Sequence, residues 1–353
     1  MDGLALVLKF RCLLVGDVDW LTESANDAEV AKYAISVYPI TEHEVGEWLK
    51  KDLEEGSSKY IVAELNREPA GYVSVWLRSE AGRDRHVAWL GIAVRRKFWG
   101  KGVGSGLINE AVSLARKSGC RKLMLGTIEG NERAIRLYGK FGFKTEAYEA
   151  KDVYVEGSWR NSPIMGLELA ACKPKLARTT VPRAKRSKAS KEIDIHVRQA
   201  VNRDLDELHR LQNCHESTKS TYRLPPATKE ETKKWYEKFD SDKGKHCLVC
   251  SKDDKLLGYL HFRASRLPFP CLKFEEVLVD VNQQPDKAAE TLTEAIRDFR
   301  ERYSYRTIVA YTPETSTSIS NALANHGFKK TGVMKDYYFI DGYYVNVAVY
   351  SYP

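Results

Sequence analysis

The chain has 353 residues, of which 43% are hydrophobic and 29% charged, and a formal net charge of +8. A domain ordinarily takes roughly 100 to 200 residues, so this length suggests two domains, each able to bury its own core. The composition is that of a soluble globular protein, and no apolar run approaches the roughly 20 residues needed to span a bilayer, which argues against a membrane role.

In chain order, the stretch Met1 to Lys9 carries Asp2 where a secretory signal would be basic, and Lys9 and Arg11 interrupt it, so it reads as a first strand. Asp27 to Tyr38 and Thr41 to Leu53 read as two helices, the second opened by Thr41 with Glu44 three residues on, a capping-box spacing. Tyr60 to Leu65 and Ala70 to Leu77, rich in β-branched and aromatic residues, flank the hairpin turn Asn66-Arg67-Glu68-Pro69. Val87 to Val94 is the next strand. Gly102 to Lys117 then carries Val103, Leu107, Ala111, Leu114 and Ala115 on one helical stripe, closed by Gly119. Leu123 to Thr127 is a buried type of strand. Asn131 caps a helix that runs to Lys140 and ends at Gly142, and a closing pair of strands turns at Glu156-Gly157.

Between Cys172 and Lys191 stand eight basic residues and no acidic one, which accounts for the whole net charge and leaves the flanking halves together neutral. With Pro174, Pro182 and no apolar periodicity, this is a flexible linker. Such a segment could touch RNA, a ribosome surface or an acidic partner, or serve only as a solvated tether.

Beyond the linker the chain repeats itself. At an offset of 185, Gly142-Phe143-Lys144 falls on Gly327-Phe328-Lys329, Tyr154-Val155-Glu156-Gly157 on Phe339-Ile340-Asp341-Gly342, and Ile92-Ala93-Val94 on Val277-Leu278-Val279. Upstream, Gly71-Tyr72 matches Gly258-Tyr259 at an offset of 187. Two copies of one unit constrain the fold more than any local propensity. The seven cysteines are odd in number and irregular in spacing, which suits a reducing cytoplasm. Cys247 and Cys250 make the sole C-x-x-C, but strand alternation turns them toward opposite faces, so they read as buried strand residues rather than as a zinc pair.

The chemistry concentrates after Ile92-Ala93-Val94, where Lys97-Phe98-Trp99-Gly100-Lys101-Gly102-Val103-Gly104-Ser105-Gly106 leads into an apolar helix. Closely spaced glycines let successive N–H groups turn toward one point, and the helix start adds unpaired donors and a positive dipole end, so a pyrophosphate can be held by main chain. Arg95, Arg96, Lys97 and Lys101 add positive charge at the rim. The Walker lysine and hydroxyl are missing, and the loop follows several elements rather than the first strand, so neither nucleotide signature fits.

Here the sequence resembles the GNAT acetyltransferase superfamily. Its motif Q/R-x-x-G-x-G/A is matched by Lys97-Phe98-Trp99-Gly100-Lys101-Gly102, with Lys in place of Gln or Arg. Its second signature, N-x-x-A-x-x-L-Y-x-x-x-G-F, is matched from Asn131 to Phe143. The start of the chain is similar to the branch containing ribosomal-protein and spermidine acetyltransferases.

The resemblance implies an α/β (α+β) fold of two tandem domains, each a mixed, mostly antiparallel twisted sheet flanked by helices. It divides the chain into a catalytic domain over 1–170, the basic linker over 171–192, and a degenerate copy over 193–353. It implies acetyl-coenzyme A as cosubstrate, no metal, and as acceptor an amine: a protein N-terminus, a polyamine or another small amine. The backbone at Ile92, Ala93 and Val94 would pair with the pantetheine amides, residues 97–105 would cradle the phosphates, and Asn131 would bond the pantetheine arm. Tyr138 would protonate the departing thiolate, although the stripe Ala134, Leu137, Tyr138 and Phe141 would equally make it a core aromatic. Carboxylates that relatives carry near Trp89 and Gly126 are absent here, which leaves Glu64, His86, Glu129 or a water relay as the general base. Acceptor selection falls to the loops at Ile40 to Glu47 and Glu80 to His86. In the second copy Gly100, Gly102 and Gly104 become Pro285, Lys287 and Ala289, while Asn131 and Tyr138 become Ser316 and Leu323, so that copy is expected to fold but not to catalyse. Monomer and homodimer both remain open, as does an acyl-coenzyme A-binding sensor or adaptor whose basic linker and second domain engage a nucleic-acid or ribosomal partner.

Overall fold

A computed structural model describes residues 7–34, 39–56, 58–78, 82–169, 195–241, 244–253, 255–265 and 270–353. The basic linker and Cys172 lie outside these residues, as do Met1 to Leu6, Glu80 and the stretch 35–38. The chain divides into two compact units: Met1–Glu80, Asp84–Glu146 and Val153–Cys172 form the first, and Ala81–Arg83, Ala147–Asp152 and Lys173–Pro353 the second.

The first unit opens with β1 (Leu8–Cys12), followed by α1 (Val18–Asn26), α2 (Ala28–Ala31) and α3 (Glu42–Glu55). Thr41 caps α3 and exchanges hydrogen bonds with Glu44, as the capping-box spacing requires. The helix expected over Asp27 to Tyr38 is replaced by α1 and the single turn α2. Asp27 acts as the break, accepting from the Glu29 and Val30 amides as the α2 cap. α1 has little local helical signal. It is held by burial of Leu21 and by Asp17 just before it, which accepts from the Leu14 amide and the Trp20 indole.

Next come β2 (Ser58–Leu65), β3 (Glu68–Leu77), β4 (Val87–Val94), α4 (Val103–Lys117), β5 (Lys122–Gly126), α5 (Glu132–Lys140), β6 (Lys144–Val155) and β7 (Ser158–Glu168). The sheet order is β1-β2-β3-β4-β5-β7-β6. The hairpin between β2 and β3 turns on Asn66 and Arg67, both at positive φ (54° and 69°), the mirror-image turn whose twist suits a hairpin. β4 and β5 are parallel, while β1 through β4 and the pair β5 and β7 run antiparallel. One face buries Val73, Val75, Ala88 and Leu90 under Leu107, Ile108 and Ala111 of α4. The other buries Tyr60 and Val62 under Leu21, Val45 and Leu49 of α1 and α3.

The second unit repeats the plan. It contains β8 (His196–Gln199), α6 (Leu205–Gln212), α7 (His215–Thr218), α8 (Lys229–Ser241), β9 (Lys245–Lys252), β10 (Lys255–Ser265) and β11 (Cys271–Val279). It closes with α9 (Pro285–Arg302), β12 (Thr307–Pro313), α10 (Thr317–Asn325), β13 (Lys329–Ile340) and β14 (Tyr343–Tyr352). Its order, β8-β9-β10-β11-β12-β14-β13, is that of the first sheet. The repeated turn dipeptides Glu156-Gly157 and Asp341-Gly342 all have positive φ, which explains a glycine in each. Cys247 and Cys250 on β9 belong to the two different cores of this unit, on opposite faces. Among the described residues no group of three or more His, Cys, Asp or Glu is placed to hold a metal, and no helix is long and apolar enough to cross a membrane.

Candidate active site

β4 pairs with β5 only at its beginning, Val87 to Trp89 against Lys122 to Met124, so the two strands separate beyond Trp89. On its other side β4 stays paired with β3 through Val94. Arg95 donates its amide to Ala70 of β3, and in an antiparallel pair the direction alternates, so the amides of Ile92 and Val94 turn toward the gap. The Val94 carbonyl is already engaged, accepting from the Trp99 indole at 2.8 Å. Ile92 and the Val94 N–H therefore form the open edge, a narrower one than the sequence suggested.

Past β4 the chain makes one turn of 3-10 helix at Arg96–Phe98 and reaches Gly100 and Gly102, whose φ values of 77° and 82° are the left-handed conformation that glycine adopts without strain. Gly102 caps α4, and Gly106 is the first amide to close back on the Gly102 carbonyl, which leaves the Val103, Gly104 and Ser105 amides at the helix opening. The cradle fits a pyrophosphate. The side chains of Phe98 and Val103 are buried in the core, so only their main chain can serve a ligand. Arg95 is not a mobile rim charge: it is 8% exposed and donates to Glu23 and to the Pro69 carbonyl. Lys97 is bonded to Glu68 and holds that carboxyl below its ordinary range. Arg96 and Lys101 remain exposed. The Arg133 guanidinium lies 3.8 Å over the Trp99 ring and ties α5 to the loop.

α5 brings the last element in. Asn131 caps it, accepting from the Ala134 amide at 3.3 Å. A Cβ on Gly104 would lie 2.9 Å from Leu137 Cδ2 and 3.9 Å from Val94 Cγ2, so the start of α4, the middle of α5 and the end of β4 converge. Tyr138 follows Leu137 and is 6% exposed, edge-on to Phe143 at 6.0 Å. Burial pushes its phenol up to about 12, so it carries its proton at neutral pH.

Comparison with known proteins agrees with this architecture. The Acetyltransferase (GNAT) family model matches residues 22–143, and an Acetyltransferase (GNAT) domain model matches 197–348. An uncharacterised N-acetyltransferase of Methanocaldococcus jannaschii is 36% identical over 101 residues, which is 28% of this chain and 42% of that relative. Spermidine N(1)-acetyltransferase of Escherichia coli is 27% identical over 160 residues, 44% of this chain and 82% of the relative. A Bacillus subtilis protein assigned as a phosphinothricin acetyltransferase is 30% identical over 136 residues, 37% of this chain and 80% of the relative. The chain belongs to the GNAT acetyltransferase family. It is accordingly an acetyl-coenzyme A-dependent N-acetyltransferase with two tandem GNAT units.

Within the first GNAT unit the three base candidates do not converge on the gap. Glu64 lies two strands from β4 and accepts from Arg11 at 2.6 Å. His86 precedes β4, at the end opposite the glycine loop, where its carbonyl accepts from the Arg121 and Lys122 amides. Glu129 follows β5 and accepts from the Asn161 amide at 3.2 Å. Of the three, Glu129 lies at the open end of the sheet, but its carboxylate is exposed.

The structure adds a cleft of about 670 Å³ beside the loop, lined by Glu23, Ser24, Asn26, Asp27, Arg95, Arg96 and Lys97. Its α1 wall escaped sequence reasoning because that helix begins nine residues earlier than the pattern suggested. Asp17, three before Trp20 and bonded to its indole, was the available signal.

The second GNAT unit lacks this cradle. Five residues, Asp280 to Gln284, connect β11 to α9, and Asp280 is fully engaged with Arg210, Asn282 and Gln283. α9 begins with Pro285, which has no N–H, and Leu323, at the place of Tyr138, is completely buried. Glu276 stands where the first unit has Gly91, and its carboxylate is bonded to Arg223 at 2.8 Å and 3.0 Å.

Proposed function

We propose that the first unit transfers acetyl from acetyl-coenzyme A to a primary amine by direct attack of the neutral amine on the thioester, in the cytoplasm. The observation that supports this reading is a convergence: the α4 opening at Gly102 to Ser105, the end of β4 at Val94 and Leu137 of α5, the residue before Tyr138, come together around Gly104 beside the unpaired β4 edge. Acetyl-coenzyme A supplies the acyl group as a thioester, whose thiolate is already a good leaving group. The main chain of residues 100–105 would hold its phosphates, the Ile92 and Val94 amides its pantetheine arm, and the side-chain amide of Asn131 would add a contact.

Positioning does most of the work in such a transfer, because alignment of amine and carbonyl replaces an entropic cost of several kcal/mol. Tyr138 holds a proton at Oη and gives it to the departing sulfur. No covalent acyl-enzyme is needed, so the buried cysteines stay out of the reaction. With Glu64 and Glu129 engaged and His86 at the far end of β4, removal of the proton from the incoming ammonium falls to a water relay. The Escherichia coli relative, named for spermidine acetylation, supports an amine acceptor. The cytoplasmic assignment rests on free cysteines at 12, 120, 214, 247, 250 and 271.

Calorimetric titration of the intact chain with acetyl-coenzyme A is the deciding experiment. One site per chain is expected, abolished by Gly102→Val; two sites, or one that survives Gly102→Val, would place binding elsewhere.

A further inference from the structure

β4 and β5 are last paired at Trp89 and Met124. Carrying that parallel register two residues further sets Gly91 of β4 against Gly126 of β5 across the opening gap. Ala88, Leu90, Leu123 and Leu125 belong to the core under α4, so strand alternation turns Trp89, Gly91, Met124 and Gly126 to the other face. On that face, just past the last paired residues, neither strand offers a side chain. A glycine within a strand weakens it and often marks the close approach of a ligand or another backbone. One of the two has such a neighbour and the other does not. A Cβ on Gly91 would lie 2.9 Å from Trp76 Cη2 and 3.1 Å from Ser74 Oγ, so the Trp76 indole takes that space. Gly126 has no positive φ, and a Cβ there would meet nothing within 4 Å. Neither backbone nor packing requires glycine at residue 126.

The slot above the two glycines has apolar walls. Trp76 stands on the β3 side, 38% exposed, and Ile164 of β7 is paired with Gly126 and shares its face. Trp89 and Met124 make the closed end, and buried Leu90 and Leu125 fill the α4 side. A donor held by main chain at residues 100–105 and then at Val94 and Ile92 would run down the gap toward this closed end and bring its sulfur beside Gly91. The acyl carbons beyond the sulfur then have one direction left, out over Gly126 alongside the Trp76 indole. An acetyl methyl uses little of that space. At the 185 offset the two positions become Glu276 and Tyr311, so the bare slot belongs to the first unit alone.

We propose, resting on the acetyltransferase reading above, that the donor site of the first unit also takes straight-chain acyl groups longer than acetyl, their carbons lying over Gly126 between Trp76 and Ile164. Each further carbon–carbon bond is about 1.5 Å, so the 4 Å left clear at Gly126 admits about two methylenes beyond acetyl. Transfer of such a group exchanges the same bonds as acetyl transfer. The amine nitrogen attacks the acyl carbon, the C–N bond forms, and the C–S bond breaks with its electron pair on sulfur. Sulfur takes the Tyr138 proton, and the proton lost by nitrogen returns to Tyr138 through water. Gly126 sets the donor range, because a larger residue there leaves room for acetyl only.

Acetyl-, propanoyl- and butanoyl-coenzyme A are the probes, titrated into the intact chain by calorimetry without an amine. A buried methylene is worth about fourfold in affinity, so butanoyl-coenzyme A should bind about fifteenfold more tightly than acetyl-coenzyme A, with propanoyl-coenzyme A between them. Gly126→Val fills the slot with a residue that strands favour. It should erase the advantage of the longer chains while acetyl-coenzyme A affinity and melting temperature stay near wild type. Should the Val variant not fold, Gly126→Ala, the smaller change, should still erase the butanoyl advantage over propanoyl. Equal affinity for the three thioesters in the wild type, or a butanoyl advantage unchanged by the substitutions, would overturn the proposal and leave the donor reading standing. No binding of any of the three would overturn the donor reading itself, and the proposal with it.

Discussion

Arg11 donates two hydrogen bonds of 2.7 Å to the two carboxylate oxygens of Asp17, and the second unit repeats the arrangement with Arg198 and Asp204 at 2.6 Å and 2.7 Å. Both pairs lie 187 residues apart, the offset that aligns Gly71-Tyr72 with Gly258-Tyr259. In each unit the acid also accepts the backbone amide three residues earlier, Leu14 or Val201. A charged fork thus ties the first strand to the start of the first helix.

This pair sets an acid limb. Burial opposes the charge on Asp17, but the Arg11, Trp20 and Leu14 hydrogen bonds outweigh it, and the carboxyl is held below the ordinary aspartate range. A depressed folded value gives stability that is present above the unfolded value and is lost as pH falls through the folded one. Chemical denaturation of the wild type should therefore show stability declining below about pH 4, and Asp17→Asn should flatten that decline. At neutral pH, Arg11→Ala should cost about 3 kcal/mol, because Asp17 is left buried without its partner.

Tyr138→Phe removes only the phenolic oxygen. Turnover should fall by about a hundredfold with acetyl-coenzyme A affinity kept, measured by steady-state assay and calorimetry. A raised folded value also means stability that is intact below the unfolded value near pH 10 and is lost as pH rises toward about 12. The Phe variant should lose less stability than the wild type across that window, read by alkaline unfolding.

Gly104→Val should disturb both structure and binding. The added carbons meet Leu137, and close-packed cores resist such insertion by about 1 to 3 kcal/mol. A lower melting temperature together with weaker acetyl-coenzyme A binding is the expected result. Unchanged affinity would separate α5 packing from the cradle.

Lys122 and Glu146 form an ion pair at 2.7 Å with both side chains buried, and a Cβ on Gly166 would lie 2.6 Å from Glu146 Oε1. Lys122→Met alone should destabilise by about 3 to 5 kcal/mol, since it strands a buried carboxylate. Adding Glu146→Leu should recover part of that loss, which a thermal double-mutant cycle would resolve.

Legibility followed the range of the interactions involved. The α3 cap at Thr41 and Glu44, the left-handed Gly100 and Gly102, and the helix from Asn131 are local, and their residue types announce them. α1 was missed because its residues favour helix weakly, and its stability comes from Leu21 packing under the sheet and from Asp17 bonded to Arg11. Rim charges were overcounted for the same reason: nothing within the run Arg95-Arg96-Lys97 reveals that Glu23 and Glu68 lie alongside to take up Arg95 and Lys97.

The sequence by itself determined the family, the duplication and the main-chain cradle, because these depend on glycine conformations, caps and a repeat that survive any detail of packing. It also showed that the second unit lacks the glycine cradle, since a proline at residue 285 cannot donate an N–H in any fold. The tertiary structure alone decided where charges meet. It paired Glu64 with Arg11, set His86 at the end of β4 opposite the glycine loop, and gave Arg95 and Lys97 carboxylate partners. Electrostatic contacts between residues far apart in sequence depend on ångström-scale placement, and only the folded chain sets that.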